Sequence, residues 1–532
     1  FAYFNNNHDT GIVPYNGEAS PTVILTAPEV EPELTQLETE VAGYQQELVS
    51  SAYTQQLENW LKQHDDRRIM ALPSYGLVAD FNFDQEYKID DANLNLSKKP
   101  KKDPKSRPTF AYRNDVKGIL DAKVWGDQDM RPVQVVGKLG NGLEFRGDAG
   151  IRFHQDLEFD RHQPFAVSIW VKLLVEGESG PVFNKSNGDL EGYRGWMCKL
   201  NEDGTLSFQL NHVWPANAID IQTKERIEVG EWTHLVMSYD GSSRASGLRV
   251  FVNGKAPEVE VIADNLNKSI LHGVDGSNWS YQPVLLGMEL RASMINMVMD
   301  EFRVYSRELS RLEIASLYSG EKIDLKQATE EDLNQFYLLT AQNPQYNNRL
   351  AALTALRKKL NLLITDQPEV MIMKERATIR PTFLLDRGMY DARGEEVQPQ
   401  TPSMFPEIDA DFSSDRIGLA EWLVHPDHPL TARVAVNRFW MQFFGKGLVA
   451  TQEDFGNQGN LPTHPALLDW LAVDLIEKDW DLKSFIKQIV MSATYRQSSV
   501  PSALAKEIDV ENLYYSYYPF HRLSAEAIRD QA

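Results

Sequence analysis

Two neighbouring stretches, GEWTHLVMSYDG (residues 230–241) and LRVFVNGK (residues 248–255), decide how the chain is read. In each, apolar residues alternate with the period of two that a half-buried strand requires, and each runs into a glycine turn. Trp232 opens the first pattern, and Asn253-Gly254 closes the second with a pair suited to positive φ. The same texture extends outward. GLVADFNFD, GLEFRGDAGIRF, FAVSIWVKL and GTLSFQL precede it and MDEFRVYSREL follows, with glycine-rich turns between them, as in an antiparallel β-sandwich. Trp170 and Trp232 fall in apolar strand patterns and are expected in the core, as is Cys198 beside Trp196.

On both sides of these strands the period changes. Leu34, Leu37, Val41, Tyr44 and Leu48 are spaced by three and four residues, and Tyr346, Leu350, Leu353, Leu356, Leu360 and Leu363 repeat that spacing. The first arm carries Glu31, Glu33, Glu38, Glu40 and Glu47, and the second ends in Arg357, Lys358 and Lys359. Antiparallel pairing would bury both stripes and oppose the charges, giving a coiled-coil stalk. Packing of each helix on a different domain is the alternative. From Pro368 onward helical patterns return, broken by proline and glycine, as in LAEWLVHPDHPLTARVAVNRFWMQFFGKGLV. The expected fold is therefore multidomain α+β, with a β-sandwich inserted between paired long helices and followed by a mainly α-helical domain. The lysine-rich run IDDANLNLSKKPKKDPKSRP (residues 89–108) has no apolar period and reads as an exposed, mobile loop.

A length of 532 residues implies about two or three domains. The net charge of −22 repels phosphate backbones and anionic lipid, which excludes nucleic acid as a partner class. Cys198 is the one cysteine, so neither a disulfide framework nor a cysteine-based metal site can form within the chain. No apolar run reaches the ~20 residues that a membrane span needs. The chain opens with FAYFNNNHDTG and ends with RLSAEAIRDQA in mid-pattern, so it reads as part of a longer protein.

From Tyr75 to Tyr318 these words, in this order, resemble the laminin-G-like branch of the concanavalin A-like jelly rolls. TARVAVNRFWMQFFGKGLV, EDFGNQGNLPTHPALLDWLA, WDLKSFIKQIVMSATYRQSS and RLSAEAIRD resemble the planctomycete-specific C-terminal domain of large secreted proteins with cytochrome-type modules upstream. FAYFNNNHDTG is similar to the tail of the cytochrome-associated domain in those proteins. The resemblance divides the chain into residues 1–29 as that tail, 30–70 as a first helical arm, 71–320 as the sandwich, 321–367 as a second arm, and 368–532 as a truncated C-terminal domain. It also implies a secreted, periplasmic or cell-surface location. A haem c group would belong to a region upstream of this sequence, because no CxxCH motif occurs here.

In the sandwich family a calcium ion commonly sits at the rim. Asp300 matches the closing-strand carboxylate that holds it, with Asp80, Asp84 and Asp148 as further oxygen donors. The plainer reading has Asp300 capping a turn or pairing with Arg303. Tyr193, Trp196, Trp214, Trp279 and Tyr281 fall near expected loops and are candidate platforms for a glycan. In the C-terminal domain, His464, Asp454, Arg438 and Arg433 are the candidate catalytic groups, with structural capping and ion pairing as the competing reading. Three functions remain open at this point. One is an extracytoplasmic protein recognising a glycan or cell-surface protein through a sandwich on a helical stalk. The second is a polysaccharide-active or haem-linked redox enzyme centred on the C-terminal domain. The third is a structural subunit of a cell-surface assembly, self-association included.

Overall fold

The computed structural model describes residues 2–7, 21–49, 53–63, 68–69, 73–89, 109–116, 121–153, 157–186, 188–272, 283–326, 328–376, 378–409, 411–520, 522 and 525–531. The lysine-rich run expected to be a loop lies almost wholly outside these residues. Two compact units partition the chain, one of residues 9–374 and one of residues 1–8 with 375–532.

The strands of the two large sheets of the first unit are β1 (Leu77–Phe81), β2 (Glu86–Ile89), β3 (Thr109–Tyr112), β4 (Ala122–Gly126), β5 (Val133–Val136), β6 (Asn141–Arg146), β7 (Ala149–Arg152), β8 (Phe165–Leu173) and β9 (Gly180–Ser186). They continue as β10 (Gly195–Leu200), β11 (Leu206–Val213), β12 (Asn217–Thr223), β13 (Trp232–Tyr239), β14 (Leu248–Val252), β15 (Val259–Asp264), β16 (Leu285–Leu286) and β17 (Ile295–Tyr305). A seven-stranded sheet has the order β14-β13-β8-β17-β6-β5, with β1 also on β17. A ten-stranded sheet has the order β15-β12-β11-β10-β9-β16-β7-β4-β3-β2. Every pairing is antiparallel, so this is the expected β-sandwich.

The stretches that opened the sequence reading form β13 and β14, paired with Leu235 opposite Val252 and Tyr239 opposite Leu248. Asn253 and Gly254 take φ of 51° and 74°, as the turn after β14 requires. Alternation then divides the side chains. On β8, Phe165, Val167, Ile169, Val171 and Leu173 enter the core between the sheets, where Cys198 and Trp196 are also buried. Ala166 faces outward, under Ile314 and Leu317 of helix α2 (Arg311–Ser319). That helix starts with a capping box between Ser310 and Glu313 and stops at Gly320. Trp170 is buried as expected, but on this outer face, stacked on Tyr318 and beneath Lys138. Trp232 departs from the core expectation, since it is only half-buried at the start of its strand.

Helices α1 (Glu31–Val49) and α3 (Pro344–Thr365) pack against each other. Lys359 pairs with Glu33 at 2.8 Å and Arg349 with Glu47 at 3.7 Å, which makes the pair antiparallel with opposed charges. The stalk, however, needs correction. Helix α3 lies along the sandwich, and its buried residues Leu353, Arg357, Asn361 and Thr365 recur every fourth position as one face of the helix. Arg357, expected to answer the acidic arm, instead donates from Nη1 to the Asp240 carbonyl at 2.8 Å.

Asn361 reaches the interaction that fixes this seat. Its Nδ2 donates to Asp160 Oδ2 at 2.6 Å, and its Oδ1 accepts from Arg161 Nε at 2.6 Å. The same Asp160 oxygen accepts from Ser269 Oγ at 2.8 Å, while Oδ1 accepts from the Arg161 and Ile270 amides at 2.7 and 3.0 Å. Burial alone would raise the pKa of this carboxyl, but hydrogen bonds from His162, Ser269, Ile270 and Arg161 outweigh it and hold the pKa at about 2.

The second unit is mainly helical, with its own core. Val436, Trp440 and Phe444 of α4 (Thr431–Phe444) meet Leu468, Leu471 and Leu475 of α5 (Pro465–Glu477) and Phe485 and Ile489 of α6 (Leu482–Met491). Asn437 is fully buried and bonds both backbone groups of Val449, at 3.0 and 2.8 Å, which straps the loop after α4 to the helix.

Because the folded pKa of Asp160 lies below its unfolded value, its stabilisation is present above about pH 4 and is lost as pH falls towards 2. Asp160→Asn should cost on the order of 2 kcal/mol or more at pH 7. In denaturant unfolding, the gap between wild type and variant should close as pH is lowered through that window.

Candidate functional site

The outer face of the ten-stranded sheet carries polar side chains in register. Asn184 of β9 stands opposite Met197 of β10, Met197 opposite Gln209 of β11, and Gln209 opposite Asp220 of β12. Their strand neighbours Cys198, Phe208, Ile219 and Ile221 point the other way, into the core. Gln209 Nε2 donates to Asp220 Oδ2 at 3.0 Å, and Trp214 Nε1 donates to the same oxygen at 2.9 Å. Asn211 Nδ2 donates to Gln209 Oε1 at 3.1 Å and to the Tyr193 carbonyl at 3.2 Å.

Those bonds leave several acceptors over. Asp220 Oδ1, Asn211 Oδ1, Glu289 Oε2 and Asp189 Oδ1 are buried without a hydrogen-bond partner among the described residues. Buried acceptors without donors are costly unless a ligand or water supplies the missing hydrogens. Burial pushes the pKa of Asp220 up, against the hydrogen bonds from Trp214 and Gln209. Glu289 is raised to about 6, chiefly by burial, with Lys199 opposing the shift and Asp189 adding to it. Tyr193 and Trp214, both half-exposed, meet edge to face beside this row with centroids 6.3 Å apart. Tyr193 is within electrostatic reach of Glu289 and Asp189, which ties these two acids to the same place.

Of the five candidate platforms, the structure thus brings Tyr193 and Trp214 together. Trp196 must be withdrawn from that list, being fully buried in the core against Phe165 and Phe183. Trp279 and Tyr281 lie outside the described residues. Sequence reading missed Gln209, Asn211, Asp220 and Glu289. For the first three, a signal was present in LSFQLNHV and NAIDIQT, where polar residues fill every second position of otherwise apolar strands.

The four aspartates assigned to calcium take separate roles. Asp300 Oδ2 accepts from the Lys138 and Leu139 amides at 2.8 and 3.0 Å, and Oδ1 accepts from the Glu301 amide at 2.8 Å. It therefore caps the turn between β5 and β6, although burial still pushes its pKa up to about 7. Asp84 accepts from the Asn141 amide of the same turn at 2.7 Å, and Asp80 pairs with Arg303 at 2.9 Å. Asp148 lies beyond the opposite end of β6, where Ser293 Oγ donates to it at 3.3 Å. The four do not share one oxygen shell, and among the described residues no three His, Cys, Asp or Glu side chains are grouped to hold a metal ion.

The C-terminal candidates are likewise dispersed. Arg433 pairs with Asp469 at 2.6 Å and donates to the Pro429 carbonyl. Asp454 closes a turn onto the Gly456 amide at 2.8 Å, and Arg438 is exposed on α4. His464 bonds Thr463 Oγ1 at 3.0 Å and packs against Tyr515 just ahead of α5. His428, of the HPDHP stretch, accepts on Nδ1 from the amides of Leu430 and Thr431 and so closes the start of α4. Trp196→Ala should cost about 3–5 kcal/mol by emptying a core site. Trp214→Ala should cost no more than about 1–2 kcal/mol, for a half-exposed ring and one hydrogen bond, and parallel unfolding curves of the two variants check the contrast.

Comparison with known proteins agrees with the two-part organisation. Residues 145–315 match the model of the concanavalin A-like lectin/glucanases superfamily, and residues 415–532 match a family of proteins of unknown function, DUF1553. Botulinum neurotoxin type X from Clostridium botulinum is 23% identical over 176 residues, which is 32% of this chain and only 12% of the toxin. Among solved structures, domain 4 of AbnA, a GH43 extracellular arabinanase from Geobacillus stearothermophilus in complex with arabinotriose, aligns at 19% identity and a TM-score of 0.30. That alignment covers 46% of this chain and 98% of the other. The receptor-binding domain of botulinum neurotoxin D aligns at 12% identity and a TM-score of 0.29, over 46% and 52% of the two chains. The chain thus contains a concanavalin A-like sandwich and a DUF1553 C-terminal region. No helix among the described residues is long and apolar enough to cross a membrane.

Proposed function

We propose that the sandwich recognises a neutral glycan through the outer face of its ten-stranded sheet, within an extracytoplasmic protein whose helical parts act as scaffold. The observation that carries this reading is the set of buried oxygens on Asp220, Asn211, Glu289 and Asp189 that lack donors beside the Tyr193–Trp214 pair. A sugar supplies what such a place lacks. Its hydroxyls are closely spaced donors, and its CH faces pack on aromatic rings. Three of the four unsatisfied oxygens belong to carboxyl groups, so an uncharged sugar fits better than a uronate or a sialic acid.

Titration against an array of neutral and acidic oligosaccharides tests the reading. Neutral glycans should bind, and Tyr193→Ala and Asp220→Asn should each weaken them by about tenfold or more, while Asp148→Ala leaves affinity unchanged. Equal binding by wild type and both site variants, or binding confined to acidic glycans, would sink it.

The site should also respond to pH. With Glu289 titrating at about 6, affinity should hold above that value and fall as pH drops through it, because protonation removes an acceptor for sugar hydroxyls. Glu289→Gln should flatten the profile.

A further inference from the structure

A cavity of about 670 Å³ opens between α1, α3 and the loops at residues 240–247 and 264–267. Its lining brings three arginines together beside two acids, Glu38 and Asp264. Arg161, Arg244 and Arg357 line it from three different segments, and none of them forms an ion pair with a carboxylate among the described residues. Arg161 and Arg357 are 6% and 8% exposed, yet Arg161 Nη2 and Arg357 Nε have no hydrogen-bond partner among the described residues. Ser242 Oγ on the same wall is also buried and unsatisfied.

Most of the acids nearby accept hydrogen bonds from other groups. The Asp160 oxygens are bonded to Asn361, Ser269 and two amides. Asp240 Oδ1 accepts from the Ser242 amide and Asp264 Oδ1 from the Ala245 amide, while Glu38 stands exposed at the edge on α1. The loop between β13 and β14 is shaped for small residues. A Cβ at Gly247 would come within 2.1 Å of both the Asp240 carboxylate and Ser242 Oγ. Burying guanidinium groups with free N–H donors is unfavourable unless an anion completes them.

We propose that this cavity binds a small tetrahedral oxyanion, phosphate or sulfate, either free or as a monoester. Donors arriving from three segments suit an anion with three or more acceptor oxygens, whereas a carboxylate is met by a single guanidinium fork. The net charge of −22 works against polyanions, so the ligand is a single anionic group held by local geometry. The cavity is larger than one ion, which leaves room for a sugar-sized carrier. This site is separate from the proposed glycan face and does not depend on it.

Isothermal titration and thermal unfolding of the full chain provide the test, with sodium sulfate, sodium phosphate and a monosaccharide sulfate compared against sodium chloride at equal ionic strength. A saturable rise in unfolding temperature with the oxyanions, absent with chloride, is expected. Arg244→Ala removes an exposed residue away from the buried Asp160 cluster and should weaken binding by about tenfold, and Ser242→Ala should weaken it less. Tighter binding of the sugar sulfate than of inorganic sulfate assigns the ester, and equal affinity assigns the free ion. Absence of saturation with all three oxyanions, or unchanged affinity in both variants, overturns the proposal.

Discussion

The Asp160 carboxylate sits where the loop before β8, the segment after β15 and helix α3 meet, and it is buried with each of its oxygens taken by donors from those three segments. A charge in that position is tolerable only when fully bonded, because removing any one donor exposes the remaining charge to a low-dielectric interior. That requirement sets both the height and the rotation of α3 on the sandwich. With Asn361 fixed, the positions four residues to either side, Arg357 and Thr365, are buried as well. Thr365 Oγ1 in turn accepts from the Ser269 amide at 3.1 Å. The pairing of α1 with α3 is therefore placed by a polar anchor, while its apolar stripe supplies association.

The sandwich has two outer faces, and their polar groups are satisfied to different degrees. On the seven-stranded sheet, α2 and Tyr318 close over Ala166, Trp170 and His234. His234 bonds Ser168 Oγ at 2.9 Å, and burial, reinforced by Arg303 and Lys138, pushes its pKa down to about 3, so the imidazole stays neutral. On the ten-stranded sheet the row from Asn184 to Asp220 is itself buried. What flanks it are the half-exposed rings of Tyr193 and Trp214, with unsatisfied oxygens beneath. The first face is closed by packing, and the second keeps buried oxygens without a partner among the described residues.

In the C-terminal unit, residue types that suggested chemistry serve local geometry. Arg433 answers Asp469 across two helices, Asp454 folds a turn onto Gly456, and His428 closes the start of α4. Arginine, aspartate and histidine perform these duties with the same groups that catalysis uses, so type and spacing cannot separate the two. The fully buried Asn437, which bonds both backbone groups of Val449, shows the same economy.

The strands, the inter-sheet core and the antiparallel helix pair were legible in the sequence, because alternation with period two and spacing by three and four are imposed by local backbone geometry. The sequence also placed Tyr193 and Trp214 near a loop, and it offered turn capping as one of the roles open to Asp300. It could not tell Trp196 from Trp214, since the two rings differ only in which side of a sheet closes over them. Nor could it show that Arg357 and Asn361 turn inward, because a polar residue between leucines ordinarily faces water. Only the fold brought Asp160 to within reach of Asn361, 201 residues away, and that long-range contact decided which face of α3 is buried.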